Sequence, residues 1–90
     1  MKNILITGCA GFIGFHTTLK FLQNKKFKVI GIDNLNNYYD TKLKKARLAI
    51  LKKNKNFYFN KVDISNFTKL FDKLNKLNID ILIHLAAQAG

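Results

Sequence analysis

This sequence predicts an α/β chain built on a parallel sheet, and three observations predict it. Short apolar runs recur with helix-like segments between them, in the order β-α-β-α-β-α-β. That alternation implies parallel strands joined by right-handed crossovers. Three glycines crowd the junction of the first strand and the first helix. An aspartate, Asp33, ends the second strand about 20 residues after the last of those glycines.

The elements follow in order. Ile4-Leu5-Ile6 is a short apolar run ending at Thr7 and Gly8, which reads as a buried strand. Beyond the glycine turn, Phe12, Phe15, Leu19 and Leu22 recur at helical spacing until the pattern fades around Gln23-Asn24-Lys25. Phe27 to Ile32 forms the second strand, closed by Asp33. Asn34 to Tyr39 is a polar loop in which Asp40 or Thr41 can cap the next helix. In that helix Leu43, Ala46, Ile50 and Leu51 supply the apolar face, with Lys and Arg opposite. Phe57 to Val62 is the third strand, ending at Asp63-Ile64. Ser65 or Asn66 can cap a third helix with Phe67, Leu70, Phe71, Leu74 and Leu77 as its apolar positions. The fourth strand, Ile81 to Leu85, is almost continuously apolar, as expected where both faces of a sheet are covered. The chain reads as one unit over 1–90, without repeats, linkers or proline.

The formal charge of +11 raises the question of a nucleic-acid partner. The basic residues are scattered, however, and comprise 15 Lys and one Arg beside five Asp and no Glu. Asn is also heavily used, with 11 copies, and Lys and Asn share A-rich codons, so a solvated basic surface accounts for the excess and no nucleic acid is expected. The single Cys9 excludes an internal disulfide. No run approaches the ~18 apolar residues of a membrane span. Ile4 to Cys9 resembles a lipoprotein cleavage box, but the apolar run before it is shorter than the about 7–15 residues a signal peptide needs. No membrane partner is expected, and the cytoplasm is the default location.

The glycines stand as Gly8-x-x-Gly11-x-x-Gly14 between strand and helix. Gly8 can adopt the angles of a tight turn. Gly11, without a Cβ, lets a pyrophosphate approach the backbone, and Gly14 lets the helix pack closely. The helix N-terminus offers free N–H groups and the positive end of its dipole to phosphates. Asp33 can accept hydrogen bonds from the adenosine ribose hydroxyls and would repel a 2′-phosphate, so NAD is expected over NADP. The fold is therefore a Rossmann-type sheet in the spatial order 3-2-1-4, cut off after its fourth strand.

The extra residue between the first two glycines departs from the dehydrogenase fingerprint. Thr7-Gly8-x-x-Gly11-x-x-Gly14 resembles the extended short-chain dehydrogenase/reductases, the NAD-dependent epimerase/dehydratase family. The runs Gly31 to Asp40, Lys44 to Leu48 and Ile83 to Gly90 are similar to those of the UDP-glucuronate 4-epimerases, so the resemblance covers the whole chain. It implies backbone contacts from Phe12 and Ile13 to the pyrophosphate, with Asp33 and Asn34 at the adenosine ribose. It implies adenine recognition by Asp63 and Ile64, and a pocket beneath the cofactor lined by Leu85, Ala86 and Ala87. Gln88 would begin the loop that approaches the sugar of a UDP-sugar substrate. The complete enzyme is implied to be a homodimer in which NAD takes a hydride from C4 of the sugar and returns it to the other face. A fragment of a sugar-nucleotide 4,6-dehydratase or decarboxylase, or a non-enzymatic remnant, remain the alternatives.

The resemblance places the family's catalytic Tyr-x-x-x-Lys on a later helix, so no catalytic residue is expected within these 90 residues. Tyr38 and Lys42 satisfy the pattern by letter only, in the loop where adenosine is expected. His84 reads as a hydrogen-bonded core histidine, and His16 lies on the first helix with no partner in view. Cys9 reads as part of the turn, not as a nucleophile, and no cluster has metal-ligand spacing.

Overall fold

The computed structural model describes residues 1–33, 41–61, 72, 75, 76 and 78–85. Its elements are β1 (Lys2–Thr7), α1 (Phe12–Leu22), β2 (Phe27–Asp33), α2 (Thr41–Leu51), β3 (Phe57–Lys61) and β4 (Ile81–His84). The strands form a parallel sheet in the order β3-β2-β1-β4, as the alternation of elements predicts. Of the expected third helix, Asp72, Asn75 and Lys76 are helical, and its other positions lie outside the described residues.

Successive residues of a strand face opposite sides of the sheet, and β1 is apolar on both. Ile4 and Ile6 join Val29 of β2 and Phe57 of β3 on one face, where Phe15 of α1 and Leu48 and Leu51 of α2 close the core. Leu5 points the other way and meets Ile30 and Ile32, with Ile79 beside them. Burial of each such aliphatic side chain is worth roughly 1.5–3 kcal/mol. The register sets Ile4 against Val29 on one side and against Ile81 on the other, so the strands' C-terminal ends finish level. At the far end of α1, Asn24 turns the chain: its Oδ1 accepts from Lys26 N–H and its carbonyl from Phe27 N–H. The Phe21 and Phe27 rings then meet edge to face at 5.4 Å.

One expectation is corrected. The apolar face of α2 is not Leu43, Ala46 and Ile50, all of which are exposed; of the expected set Leu51 alone is buried. The inward stripe is Lys44, Arg47, Leu48 and Leu51, because the first half of α2 faces a polar turn and only its second half meets the core. Phe12, in the first turn of α1, is 66% exposed, whereas Phe15 is buried. Among the described residues β4 pairs with β1 alone, and Ile81, Leu82 and His84 are exposed there.

Candidate functional site

The site begins where β1 ends. Gly8 takes a positive φ of 73°, a conformation that costs any other L-residue about 1 kcal/mol or more. The amides of Gly8 and Cys9 then both donate to Ile32 O of β2, at 2.7 and 3.3 Å, which pins the turn to the neighbouring strand. Gly11 N–H closes the turn on Gly8 O at 3.1 Å, and Gly11 serves as the N-cap of α1. As a glycine it offers no side-chain cap, so the first amides of α1 stay uncapped at the positive end of the helix dipole. Phe12 and Ile13 expose their side chains on either side of that helix start.

The glycines have different reasons. A Cβ on Gly14 would stand 1.9 Å from Gly8 O, so the turn and the helix touch through bare backbone. A Cβ on Gly11 would meet Gly8 O at 3.4 Å, an ordinary contact, so the chain itself leaves that space open. Gly31, in the middle of β2, has a reason that the sequence does not disclose. Its missing Cβ is replaced by Cys9 Sγ and the Phe57 ring, both within 2.8 Å of where it would be.

Asp33 lies beside this turn and is buried. Its Oδ2 accepts the Ala10 amide at 3.1 Å, and its Oδ1 is paired with Lys44 Nζ at 3.3 Å. Arg47, one turn along α2, donates to Ala10 O at 3.1 Å and lies over the Phe12 ring at 5.8 Å. Both peptide groups of Ala10 are thus held, one by β2 and one by α2. Lys44 and Arg47 contact the turn from α2, and apolar counting misses them. One signal for them is present: the lone Arg of a Lys-rich chain marks a place where a planar, multidentate donor is needed.

Cys9 is sealed in the same turn. Burial, reinforced by the negative charge of Asp33, pushes its thiol up to about 12, so it is inert near neutrality, in line with the sequence reading. On the other side of β1, Thr7 Oγ1 is hydrogen-bonded to His84 Nδ1 at 2.8 Å and accepts from Leu85 N–H at 3.0 Å. His84 is hydrogen-bonded as expected, but it is exposed on the edge strand and not in the core. Leu85 is half-buried at the end of β4, across β1 from the Asp33 side. The strand order reverses between β1 and β4, and the crevice beyond the carboxyl ends of such a pair is where open α/β sheets bind ligands.

The structure therefore gathers Gly8, Gly11, Phe12, Ile13, Gly14 and Asp33 around one turn, with Leu85 nearby. Asn34, Asp63, Ile64, Ala86, Ala87 and Gln88 lie outside the described residues, as does Tyr38. Among the described residues no group of three His, Cys, Asp or Glu could hold a metal ion, and no helix is long and apolar enough to cross a membrane.

Residues 5–90 match the family described as GDP-mannose 4,6 dehydratase. The Methanocaldococcus jannaschii protein MJ1055 is 52% identical over 99% of this chain and 28% of its own length. The UDP-glucuronate 4-epimerase of Thermodesulfobacterium geofontis is 48% identical over 100% of this chain and 28% of its own length. The solved UDP-glucuronic acid 4-epimerase from Bacillus cereus, in complex with UDP-glucuronic acid and NAD, superposes with a TM-score of 0.85 at 40% identity. That match covers 98% of this chain and 27% of the Bacillus chain. This chain thus spans little more than a quarter of the length of these relatives. The glycine turn, the strand order and these matches agree: the chain belongs to the NAD-dependent epimerase/dehydratase family of the short-chain dehydrogenase/reductases, corresponds to the N-terminal portion of its members and is similar there to the UDP-glucuronate 4-epimerases.

Proposed function

We propose that this chain is the NAD-binding portion of a sugar-nucleotide epimerase acting on a UDP-sugar of the UDP-glucuronate class. One observation carries the reading: the Ala10 amide bonds Asp33, so the glycine turn and the acid at the end of β2 form a single site. The open space at Gly11 fits the same reading, since nothing in the chain fills the place a Cβ would take. In this assignment Gly8, Gly11, Phe12, Ile13 and Gly14 hold the pyrophosphate on the amides of the turn and the helix start. Asp33 and Asn34 hold the adenosine ribose, and Asp63 and Ile64 the adenine. Leu85, Ala86 and Ala87 line the space beneath the cofactor, and Gln88 faces the sugar.

When bound, NAD supplies the hydride acceptor and donor at C4 of the sugar, while the protein orients it. This chain's share is binding and orientation, and its thiol and histidines take no proton-transfer role. The family description, which names a 4,6-dehydratase, supports the second reading, a dehydratase sharing this cofactor half.

Calorimetric titration of the 90-residue chain with NAD+ tests the cofactor assignment. We expect saturable binding, tighter than for NADP+ at the same ionic strength and lost by at least tenfold in Asp33→Ala. Binding of NAD+ that is unchanged in Asp33→Ala refutes the placement of the ribose.

A further inference from the structure

Spacing alone presents Asp33 as a lone negative charge facing the ribose, and a lone carboxylate would strongly repel a 2′-phosphate. The structure surrounds it differently. Lys44 Nζ lies 3.3 Å from Asp33 Oδ1, and the two side chains are only 15% and 3% exposed. Arg47 sits one helical turn further along the same face of α2, anchored to the Ala10 carbonyl whose amide partner bonds Asp33. Among the described residues, Asp33, Lys44 and Arg47 are thus joined around Ala10. Water screens such a half-sheltered patch poorly, so the local balance of charge decides which anions approach.

We propose that Lys44 is a specificity-determining residue for the ribose end of the dinucleotide: by offsetting the charge of Asp33 it lets the pocket accept a 2′-phosphorylated nucleotide that Asp33 by itself would exclude. The inference rests on the reading of this turn as a dinucleotide site. Asp33 keeps its hydrogen-bonding capacity toward ribose hydroxyls, so NAD remains the tighter ligand. The ammonium at its side removes most of the repulsion from a 2′-phosphate, which carries about −1.5 to −2 charges at neutral pH. Arg47 adds a second positive charge whose position is fixed by the turn itself. Discrimination between the two cofactors thus belongs to the pair Asp33–Lys44, and not to Asp33 alone.

The test compares NAD+ and NADP+ binding to the 90-residue chain carrying Lys44→Met, Lys44→Arg or Lys45→Met, the last an exposed lysine of the same helix. In the wild type the two affinities should fall within about tenfold of each other, a modest gap for a paired carboxylate. Lys44→Met should widen the gap by a further factor on the order of ten, chiefly by weakening NADP+. Lys44→Arg should keep the wild-type ratio, and Lys45→Met should leave it unchanged. A latch that merely holds α2 in place would shift both affinities together and leave the ratio alone, which overturns the inference. An equal change of ratio in Lys45→Met overturns it too, since any surface charge would then serve. Should Lys44→Met fail to fold, the salt dependence of the wild type decides: NADP+ affinity must fall more steeply with salt than NAD+ affinity, and equal slopes reject the proposal. Failure of the wild type to bind NAD+ at all is a separate result, which removes the cofactor reading and this inference with it.

Discussion

Gly14→Ala and Gly11→Ala look alike on paper, and the structure separates them. At Gly14 the new methyl would stand 1.9 Å from Gly8 O, 2.7 Å from Gly8 C and 3.0 Å from Cys9 Cα. All three are backbone atoms, so no side chain can swing aside. Restoring normal contact requires the turn and α1 to part by more than roughly 1 Å. Overpacking of this kind costs about 1–3 kcal/mol, and the better helix propensity of Ala returns about 1 kcal/mol at most. With rigid atoms on every side the upper end applies, for a net loss of about 2 kcal/mol. A chain of this size has roughly 5–13 kcal/mol in total, so the midpoint of thermal unfolding should fall by about 8–16 °C. At Gly11 the methyl meets one atom at 3.4 Å, and φ −72°, ψ 169° suits any L-residue. Loss of glycine at the N-cap there costs about 0.5–1 kcal/mol. Gly11→Ala should therefore keep most of its stability and lose NAD+ affinity, whereas Gly14→Ala stays folded but loses about 2 kcal/mol of stability. Urea unfolding followed by circular dichroism reads both. Equal midpoints for the two variants, or a Gly14→Ala chain within 0.5 kcal/mol of wild type, would refute the steric reasoning.

The two faces of α2 give a second pair. Leu48→Ala removes a side chain only 4% exposed and should cost about 2–5 kcal/mol, while Ile50→Ala, at 46% exposure, should stay within about 0.5 kcal/mol on the same urea assay. Cys9 gives a pH dependence. Its folded thiol lies near 12 against an ordinary 9.0, so the unfolded chain releases the proton first. Stability from this group is complete below pH 9.0 and drains away as pH climbs toward 12, so Cys9→Ala should show a flatter loss of stability over that window. Iodoacetamide at pH 8 should label wild-type Cys9 only at the rate of unfolding, and fast labelling of the native chain would contradict its burial.

Strands and turn were legible because their determinants are local. Ile4-Leu5-Ile6 is apolar at every position and is buried on both sides, and the Gly8-x-x-Gly11-x-x-Gly14 spacing announces the turn without knowledge of what lies across from it. The face of α2 was not legible, because counting apolar residues presumes that a helix meets one uniform surface. Lys44 and Arg47 point inward to a carboxylate and a carbonyl that come from 11 and 37 residues away. Gly31 is the same case in a strand: its partners, Cys9 and Phe57, reach it from two different elements. His84 sits in a sequence that looks interior, yet it is exposed, and its partner Thr7 Oγ1 comes from 77 residues away, which the run of letters does not show. Asp33 was legible as an acid at the right place, but not as one half of an ion pair.

Ala10 contributes no reactive side chain, yet its single residue joins β2 to α2, one through the amide and the other through the carbonyl. Seating of α2 and order in the turn are consequently two readings of one equilibrium. An anion that settles on the turn must disfavour undocked α2, and by thermodynamic linkage a better-seated α2 must raise affinity for that anion by the same factor. A substitution on the core side of α2, such as at Leu51, would then register as a change in nucleotide affinity without touching the nucleotide. Coupling of this sort needs no moving lid, only one residue whose amide and carbonyl are held by two partners.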